Sequence, residues 1–208
     1  MSINTAGEIT GYSEGGNYVR APDGTITTFS ITGGFSQSIN AQGAVTGYST
    51  TPINSHIGFL RAPDGVITSF SVPGDVDIET YPESINVAGT VAGHYNDSFS
   101  TPSSGFIMAT DGTFTTFNAP GEGTNMNQGT YAVSINAAGA ITGYYVDRVN
   151  ATRGFFRNAG GAFTTFTVPG AGTTSKLGTF AAAISDAGAV TGYYSDVNNV
   201  IHGFLRTP

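Results

Sequence analysis

The sequence repeats one segment five times, and this repetition limits the folds that are open to the chain. SINAAGAITGYY, at residues 134–145, has close copies at 2–13, 38–49, 84–95 and 183–194. When the copies are aligned on the Asn of Ser-Ile-Asn, successive copies lie 36, 46, 50 and 49 residues apart. A repeat of about 40 to 50 residues made of short strands is typical of a β-propeller, in which each repeat forms one small sheet.

Each copy contains four runs with the composition of β-strands. In the fourth copy these runs are YAVSIN, AITGYYV, RGFFRN and AFTTFTV, which are rich in β-branched or aromatic residues. Asn-x-x-Gly separates the first two runs and Asp-Gly or Gly-Gly separates the last two, and in both hairpin connections glycine can take positive φ. No stretch keeps the apolar spacing of a helix for three turns. The sequence therefore predicts an all-β protein made of four-stranded antiparallel units.

Five copies predict a single five-bladed β-propeller domain over residues 1–208. The repeats run approximately over 1–37, 38–83, 84–133, 134–182 and 183–208. The last copy stops at HGFLRTP, before its fourth strand. We therefore expect a last blade that lacks its fourth strand. Its open edge could pair with another chain, because exposed strand edges invite pairing.

Charge and composition disfavour several classes of partner. Lys and Arg number 7 against 14 Asp and Glu, and charged residues make up only 10% of the chain. Nucleic acid and anionic lipid both require clustered Lys and Arg, so we expect neither as a partner. No run of apolar residues is long enough to span a membrane, and we expect no secretory leader ahead of the first copy. The absence of Cys excludes disulfides and thiolate chemistry.

Copy length varies only at the connections from the fourth strand to the next first strand and from the second strand to the third. Because antiparallel strands alternate in direction, both connections should lie at one end of the sheets, here named the variable-loop end, opposite the tight turns. Variable loops on a rigid scaffold commonly carry binding residues. Most of the acidic residues lie there: Glu14, Asp75, Asp77, Glu79, Glu83, Asp97, Glu122, Asp147 and Asp196. We therefore expect ligands at this end.

The run Ile-Asn-x-x-Gly-x-x-x-Gly-Tyr, followed by His-Gly-Phe-Leu at 202–205, resembles the HAF-type extracellular repeat family. His202-Gly203-Phe204 comes closest to the His-Ala-Phe motif of that family, with Gly in place of Ala. The resemblance implies an exported bacterial propeller and therefore an extracellular location. It supplies no catalytic residues.

Three copies place a tyrosine two residues before an aspartate at the end of the second strand. The pairs are Tyr95 with Asp97, Tyr145 with Asp147, and Tyr194 with Asp196. A ring that stacks on a sugar, beside a carboxylate that accepts from its hydroxyls, would form a saccharide site at each pair. The alternative is that the tyrosines pack between sheets and the aspartates cap turns. We expect the recurrent Asn of Ser-Ile-Asn to cap its own turn in the same way.

Two further acidic features are candidate sites. Glu83 stands on a first strand where other copies have Gln37, Val133 or Ala182, and it could bind a ligand or act in catalysis. Asp75, Asp77 and Glu79 present alternating oxygen donors that could bind Ca²⁺, although a solvated acidic loop is the alternative. His56, His94 and His202 fall in different copies and show no metal-ligand spacing.

These features favour a non-catalytic binding protein with carbohydrate as its ligand, gaining affinity from several equivalent weak sites. The first alternative is a hydrolase or lyase with a carboxylate site around Glu83 at the channel mouth. Two-carboxylate hydrolysis would need a second acid close to it. The second alternative is a structural protein that assembles through its incomplete blade. No cofactor is expected apart from Ca²⁺.

Overall fold

The computed structural model describes residues 1–53, 55–74, 79–97 and 101–208. Their regular structure is all β-strand, which confirms the predicted class, and the described part contains no helix that could span a membrane. The first copy forms β1 (Ser2–Ile3), β2 (Ile9–Ser13), β3 (Gly16–Arg20) and β4 (Ile26–Phe29). The second forms β5 (Gly34–Ile39), β6 (Val45–Thr50), β7 (His56–Arg61) and β8 (Ile67–Phe70). The third forms β9 (Glu79–Ile85), β10 (Val91–Asn96), β11 (Ser104–Met108) and β12 (Phe114–Phe117). The fourth forms β13 (Gly129–Ile135), β14 (Ile141–Val146), β15 (Thr152–Arg157) and β16 (Phe163–Phe166). The fifth forms β17 (Gly178–Ile184), β18 (Val190–Ser195) and β19 (Ile201–Arg206).

The strands of each copy pair in chain order as an antiparallel meander, and the fifth copy has three strands. The sheets differ from five separate blades at one place, because the fourth and fifth copies share a seven-stranded sheet. The shared sheet is joined by a parallel pairing of Thr152 on β15 with Gly178 on β17. Gly178 has a φ of 136°, and a Cβ atom there would collide with the Thr152 carbonyl oxygen. Only glycine therefore permits this close approach of the two backbones.

The tight turns have the predicted geometry. The glycines that end the Asn-x-x-Gly and Asp-Gly turns have φ between 80° and 95°. In the Asn-x-x-Gly turns the Asn side chain accepts from its own turn, as when Asn40 Oδ1 accepts from Ala44 N at 3.0 Å. The predicted capping role is therefore confirmed.

The same asparagines also join neighbouring copies. Each Nδ2 donates to the backbone carbonyl of the equivalent residue in the next copy, at 2.9 to 3.1 Å. The donors are Asn4, Asn40, Asn86 and Asn136, and the last acceptor is Ser185. One side chain thus serves both the turn and the contact between sheets, which explains why it recurs.

Apolar packing holds successive sheets together. Phe59, Phe106 and Phe155 occupy equivalent positions on the third strands and are fully buried. Arginines from the same strands stack on phenylalanines of the preceding sheet, for example Arg157 on Phe117 with 4.8 Å from Cζ to the ring centroid. Arginine stacking of this kind adds an electrostatic attraction to the apolar contact.

The two ends of the sheets carry different clefts. At the tight-turn end, a cleft of about 480 Å³ is lined by the isoleucine of every copy: Ile3, Ile39, Ile85, Ile135 and Ile184. At the other end, Asn127 from a fourth-to-first loop and Asn150 from a second-to-third loop line one cleft together. Both kinds of variable loop therefore meet at the same end in the fourth copy, as predicted.

The outward faces of the first and last sheets are open to solvent. Ile201 and Leu205 on β19 are 68% and 66% exposed, and Ile3 and Tyr12 of the first sheet are also exposed. Phe204, the equivalent of the buried phenylalanines, is only partly covered. The predicted pairing of the incomplete last sheet with another chain stays a prediction.

Candidate functional site

Around the junction of the second and third copies, the chain departs from its repeat by placing four ionisable side chains in buried or half-buried positions. These residues are His56, Glu79, Glu83 and His94. His94 takes the place of Tyr48 and Tyr144 in the neighbouring copies. All four lie on strands of the second and third sheets, so they share one part of the molecule.

Two of these departures form a spatial pair. At the junctions that follow, the positions of His56 and Glu79 are taken by Ser103 with Gly129 and by Thr152 with Gly178, and there the backbones form a parallel bridge. At the junction of the second and third sheets, His56 Nδ1 instead lies 3.4 Å from Glu79 Oε1. Side chains therefore meet at this junction, where the two junctions that follow have a backbone bridge.

A continuous row of aromatic rings, the aromatic arc, crosses all five copies. Its rings alternate between the first and second strands, and neighbouring ring centroids lie 4.7 to 5.4 Å apart. The members in order are Tyr12, Phe35, Tyr48, Tyr81, His94, Tyr131, Tyr144, Phe180 and Tyr193. His94 is thus a ring of the arc that carries polar nitrogens.

Glu83 occupies a β-bulge in strand β9. Pro82 pairs with Gly93 and Ser84 with Ala92, so Glu83 is left without a partner in the ladder. Equivalent register shifts occur in the second, fourth and fifth copies. Bulges re-aim the extra residue and are common beside functional sites. The bulge therefore recurs in the second to fifth copies, but only in the third does it present a carboxyl group.

The Glu83 carboxyl group lies in confined surroundings against the arc. Burial raises its pKa to about 7, although 26% of the side chain remains exposed. Burial also raises the pKa of Tyr48 and of Tyr144, and the Glu83 carboxylate raises both further. The charge of Glu83 therefore influences the tyrosine hydroxyls of both the second and the fourth copies, Tyr48 and Tyr144. Near neutral pH it exists in both protonation states.

His94 faces Glu83 without bonding to it. Its Nδ1 lies 3.7 Å from Glu83 Oε1, beyond hydrogen-bond distance, and has no hydrogen-bond partner among the described residues. Burial lowers the pKa of His94 to about 4, so the ring is neutral at pH 7 and the pair is not an ion pair. The ring stacks on Tyr81 with an interplanar angle of 15°. A buried nitrogen without a partner commonly marks the place of a water or a ligand group.

Tyr81 links this pair to the second one. Its hydroxyl donates to Glu79 Oε2 at 2.6 Å and lies 2.9 Å from His56 Nδ1. Since the hydroxyl has a single proton, which goes to Glu79, His56 Nδ1 must donate to the tyrosine oxygen. Burial, and then the bond to Glu79, raise the pKa of Tyr81. Tyr81 therefore stays protonated at neutral pH.

The Ca²⁺ site predicted at the second variable loop is only partly within the described residues. Asp75 and Asp77 lie outside them, and Glu79 is buried against Tyr81 and His56. Across the described ranges, no three His, Asp or Glu side chains are grouped closely enough to hold a metal ion. Ca²⁺ binding stays a prediction.

The Tyr-x-Asp pair of the fourth copy is engaged in contacts within the chain. Asp147 Oδ1 accepts from Val149 N and Ala151 N, both at 3.0 Å, and Oδ2 accepts from Arg153 Nε at 2.8 Å. Tyr145 is 4% exposed and belongs to the apolar core. These contacts correspond to the alternative in which the tyrosine packs and the aspartate caps its loop.

Of the other two Tyr-x-Asp pairs, the one in the fifth copy resembles that of the fourth and the one in the third copy does not. Asp196 repeats the arrangement of Asp147, with backbone donors on Oδ1 and His202 Nε2 3.2 Å from Oδ2. Tyr194 stacks on His202 with 4.8 Å between ring centroids. Tyr95 packs against the core beside the third sheet, and Asp97 is exposed. A saccharide role for the three pairs stays a prediction.

Comparison with known proteins assigns this chain to no family. No protein-family model matches this sequence, and no curated protein shows significant similarity to it. The resemblance to HAF-type repeats therefore depends on short motifs alone. A function for this chain has to come from its own geometry.

The sequence pattern identifies Glu83 but not its surroundings. His94 reads as a substitute for a tyrosine, and nothing in its spacing links it to Glu83, eleven residues earlier. The signal that could have found the site is the concentration of four ionisable departures at the junction of two neighbouring copies. The resulting arrangement offers a carboxyl group and an imidazole nitrogen within a wall of rings. The aromatic rings can stack on a ring of a polar ligand. The carboxyl group and the imidazole can exchange a proton with that ligand.

Proposed function

We propose that this protein is a non-catalytic binding protein whose ligand is a saccharide held against the aromatic arc by Glu83 and His94. The observation that carries the proposal is the pair of polar atoms 3.7 Å apart, of which His94 Nδ1 is buried without a partner. Protonated Glu83 can donate to a sugar hydroxyl, and that hydroxyl can in turn donate to His94 Nδ1. The surrounding rings supply the apolar surface that small-molecule sites combine with a few placed polar groups.

The proposal includes a five-bladed propeller arrangement with ligand entry from the variable-loop end. Three observations support it. The isoleucines of all five copies line one cleft, the asparagine bonds join each copy to the next, and the aromatic arc runs through every sheet. Glu83 and the arc would then lie along the axis that the five first strands surround.

A glycan array followed by titration of the best ligand tests this proposal. Glu83→Val and His94→Tyr are expected to weaken binding about tenfold or more, because the first removes the carboxyl donor and the second removes the imidazole acceptor. Both substitutions restore residue types that other copies carry, as at Val133 and Tyr144. Glu14→Val, which changes an exposed acid in a variable loop, is the matched control and should bind like the wild type.

Binding at the predicted Tyr-x-Asp pairs is the outcome that would contradict a site at Glu83 and His94. If Tyr194→Ala abolished binding while Glu83→Val and His94→Tyr left it unchanged, the saccharide would lie on the Tyr-x-Asp pairs instead. Absence of glycan binding by the wild type would remove the proposal altogether.

A second candidate function is proton-transfer catalysis of the lyase type at the same residues. A group with a pKa of about 7 is suited to general acid and base work near neutral pH. The group that faces Glu83 is His94 and not a second carboxylate, which favours proton abstraction over two-carboxylate hydrolysis. Incubation with acidic polysaccharides should then release an unsaturated product, followed by its ultraviolet absorbance. Glu83→Gln should abolish the signal and Glu14→Gln should not. An equal rate in the Glu83→Gln variant would exclude Glu83 as the catalytic group.

A further inference from the structure

The cleft that Asn127 and Asn150 line at the variable-loop end lies between the fourth and fifth copies, and Glu83 is not among its lining residues. It has a volume of about 510 Å³, which suits a small molecule. Asn127, Asn150 and Lys176 form part of its wall, each from a different loop, and Val146, Thr152 and Phe180 also line it. Phe180 belongs to the aromatic arc, so the cleft combines apolar surface with polar loops.

The three loop residues share an uncommon backbone conformation. Within the described ranges, four residues other than glycine have positive φ, and three of them are Asn127, Asn150 and Lys176, with φ of 62° to 66°. Asparagine adopts this conformation more readily than lysine does. Such residues persist only where surrounding contacts hold them, and they are frequent in ligand sites. Asn127 and Lys176 occupy the same position in successive fourth-to-first loops, and Asn150 and Asn199 the same position in successive second-to-third loops, so the conformation belongs to these turns.

Hydrogen bonds hold these loops in place before any ligand arrives. The buried side chain of Gln128 donates through Nε2 to Asn150 Oδ1 at 2.8 Å. Gln128 Oε1 accepts from Asn125 N at 3.0 Å, and Asn150 O accepts from Lys176 N at 2.9 Å. Because Asn150 Oδ1 is occupied, its Nδ2 is the group left to bond a ligand. The wall is therefore preorganised, and Asn150 Nδ2 and the Lys176 ammonium group are its donors for a ligand.

The positive charge of the cleft favours an anionic ligand. Lys176 is the single ionisable residue among those that line it, although the chain as a whole carries a net charge of −7. The nearby Asp147 is already bonded to Arg153 and to its own loop. We propose that this cleft binds a small carboxylate with an apolar body, whose carboxylate accepts from Lys176 and Asn150 while the body contacts Val146 and Phe180. Neither Glu83 nor His94 lines this cleft, so the site is independent of them.

Nuclear magnetic resonance titration of the ¹⁵N-labelled chain with benzoate, and with neutral benzamide, tests the proposal. Benzoate should shift the amide signals of Asn127, Asn150 and Lys176 and bind more tightly than benzamide. Lys176→Asn should weaken benzoate binding about tenfold or more, because it removes the charge-assisted bond. Asparagine suits the left-handed backbone at this position, so the substitution keeps the loop intact.

Arg148→Gln is the matched control. Arg148 is an exposed cation on the same hairpin loop as Asn150 but does not line the cleft. It should bind benzoate like the wild type. Equal losses in the Arg148→Gln and Lys176→Asn variants would show general attraction of an anion and overturn the site. Unchanged affinity in Lys176→Asn, or no shifts at the cleft in the wild type, would overturn it as well.

Discussion

Replacing Phe155 with alanine is expected to lower the free energy of unfolding by about 3 to 5 kcal/mol. The side chain is fully buried on β15 and contacts the rings of Phe117 and Phe163, with centroids 6.3 and 5.7 Å away. The substitution removes the apolar surface and leaves a cavity that the close-packed strands cannot fill. Urea unfolding followed by fluorescence or circular dichroism measures the loss.

The repeat provides an internal control for this prediction. Phe204 on β19 is the equivalent residue of the last sheet, where one face is open to solvent and the ring is only partly covered. Phe204→Ala is therefore expected to cost about 1 kcal/mol. Equal losses for Phe155→Ala and Phe204→Ala would mean that the last sheet is covered in solution, by the first sheet or by another chain.

The pair Glu83 and His94 is expected to give two variants with opposite dependence of stability on pH. In His94→Tyr, only Glu83 remains, and its pKa is about 7 in the folded chain against 4.5 in the unfolded one. Between these values the folded chain holds a proton that the unfolded chain has released. Stability should therefore fall as pH rises from 4.5 to about 7, by up to about 3 kcal/mol, and then level off.

In Glu83→Gln, the remaining group is His94, and the sign reverses. Its pKa is about 4 in the folded chain against 6.5 in the unfolded one, so the unfolded chain binds the extra proton. Stability should fall as pH drops from 6.5 to about 4, by a similar amount. In the wild type the two effects oppose each other between pH 4.5 and 6.5.

Urea midpoints across this pH range, compared among the four chains, measure both slopes. The double variant Glu83→Gln/His94→Tyr carries neither group and gives the background set by the other carboxylates, which all four chains share. Once the slope of the double variant is subtracted, slopes of the same sign in the two single variants would contradict the assigned burial of one of these groups. Slopes equal to the background would contradict both.

The candidate site shows which inferences were accessible from the sequence. Glu83 could be identified because it breaks a repeat, and a repeat makes every departure visible. Its pairing with His94 depends on the bulge in β9 and on the ladder between β9 and β10. The occupied state of the Asp147 carboxylate depends on how its loop folds back. These are properties of one loop or one ladder in three dimensions, and the spacing of residue types does not contain them.

The sequence by itself determined the class of structure, the order of the strands and the tight turns. These features are local, because strand alternation and the positive φ of turn glycines such as Gly139 are set by residues close together in the chain. Tertiary structure alone decided how the copies meet. It joined the fourth and fifth copies at Gly178, left the outward faces of the first and last sheets open, and assembled the aromatic arc with Glu83 and His94. Such contacts link residues of different copies, and the angle and distance between packed sheets determine them.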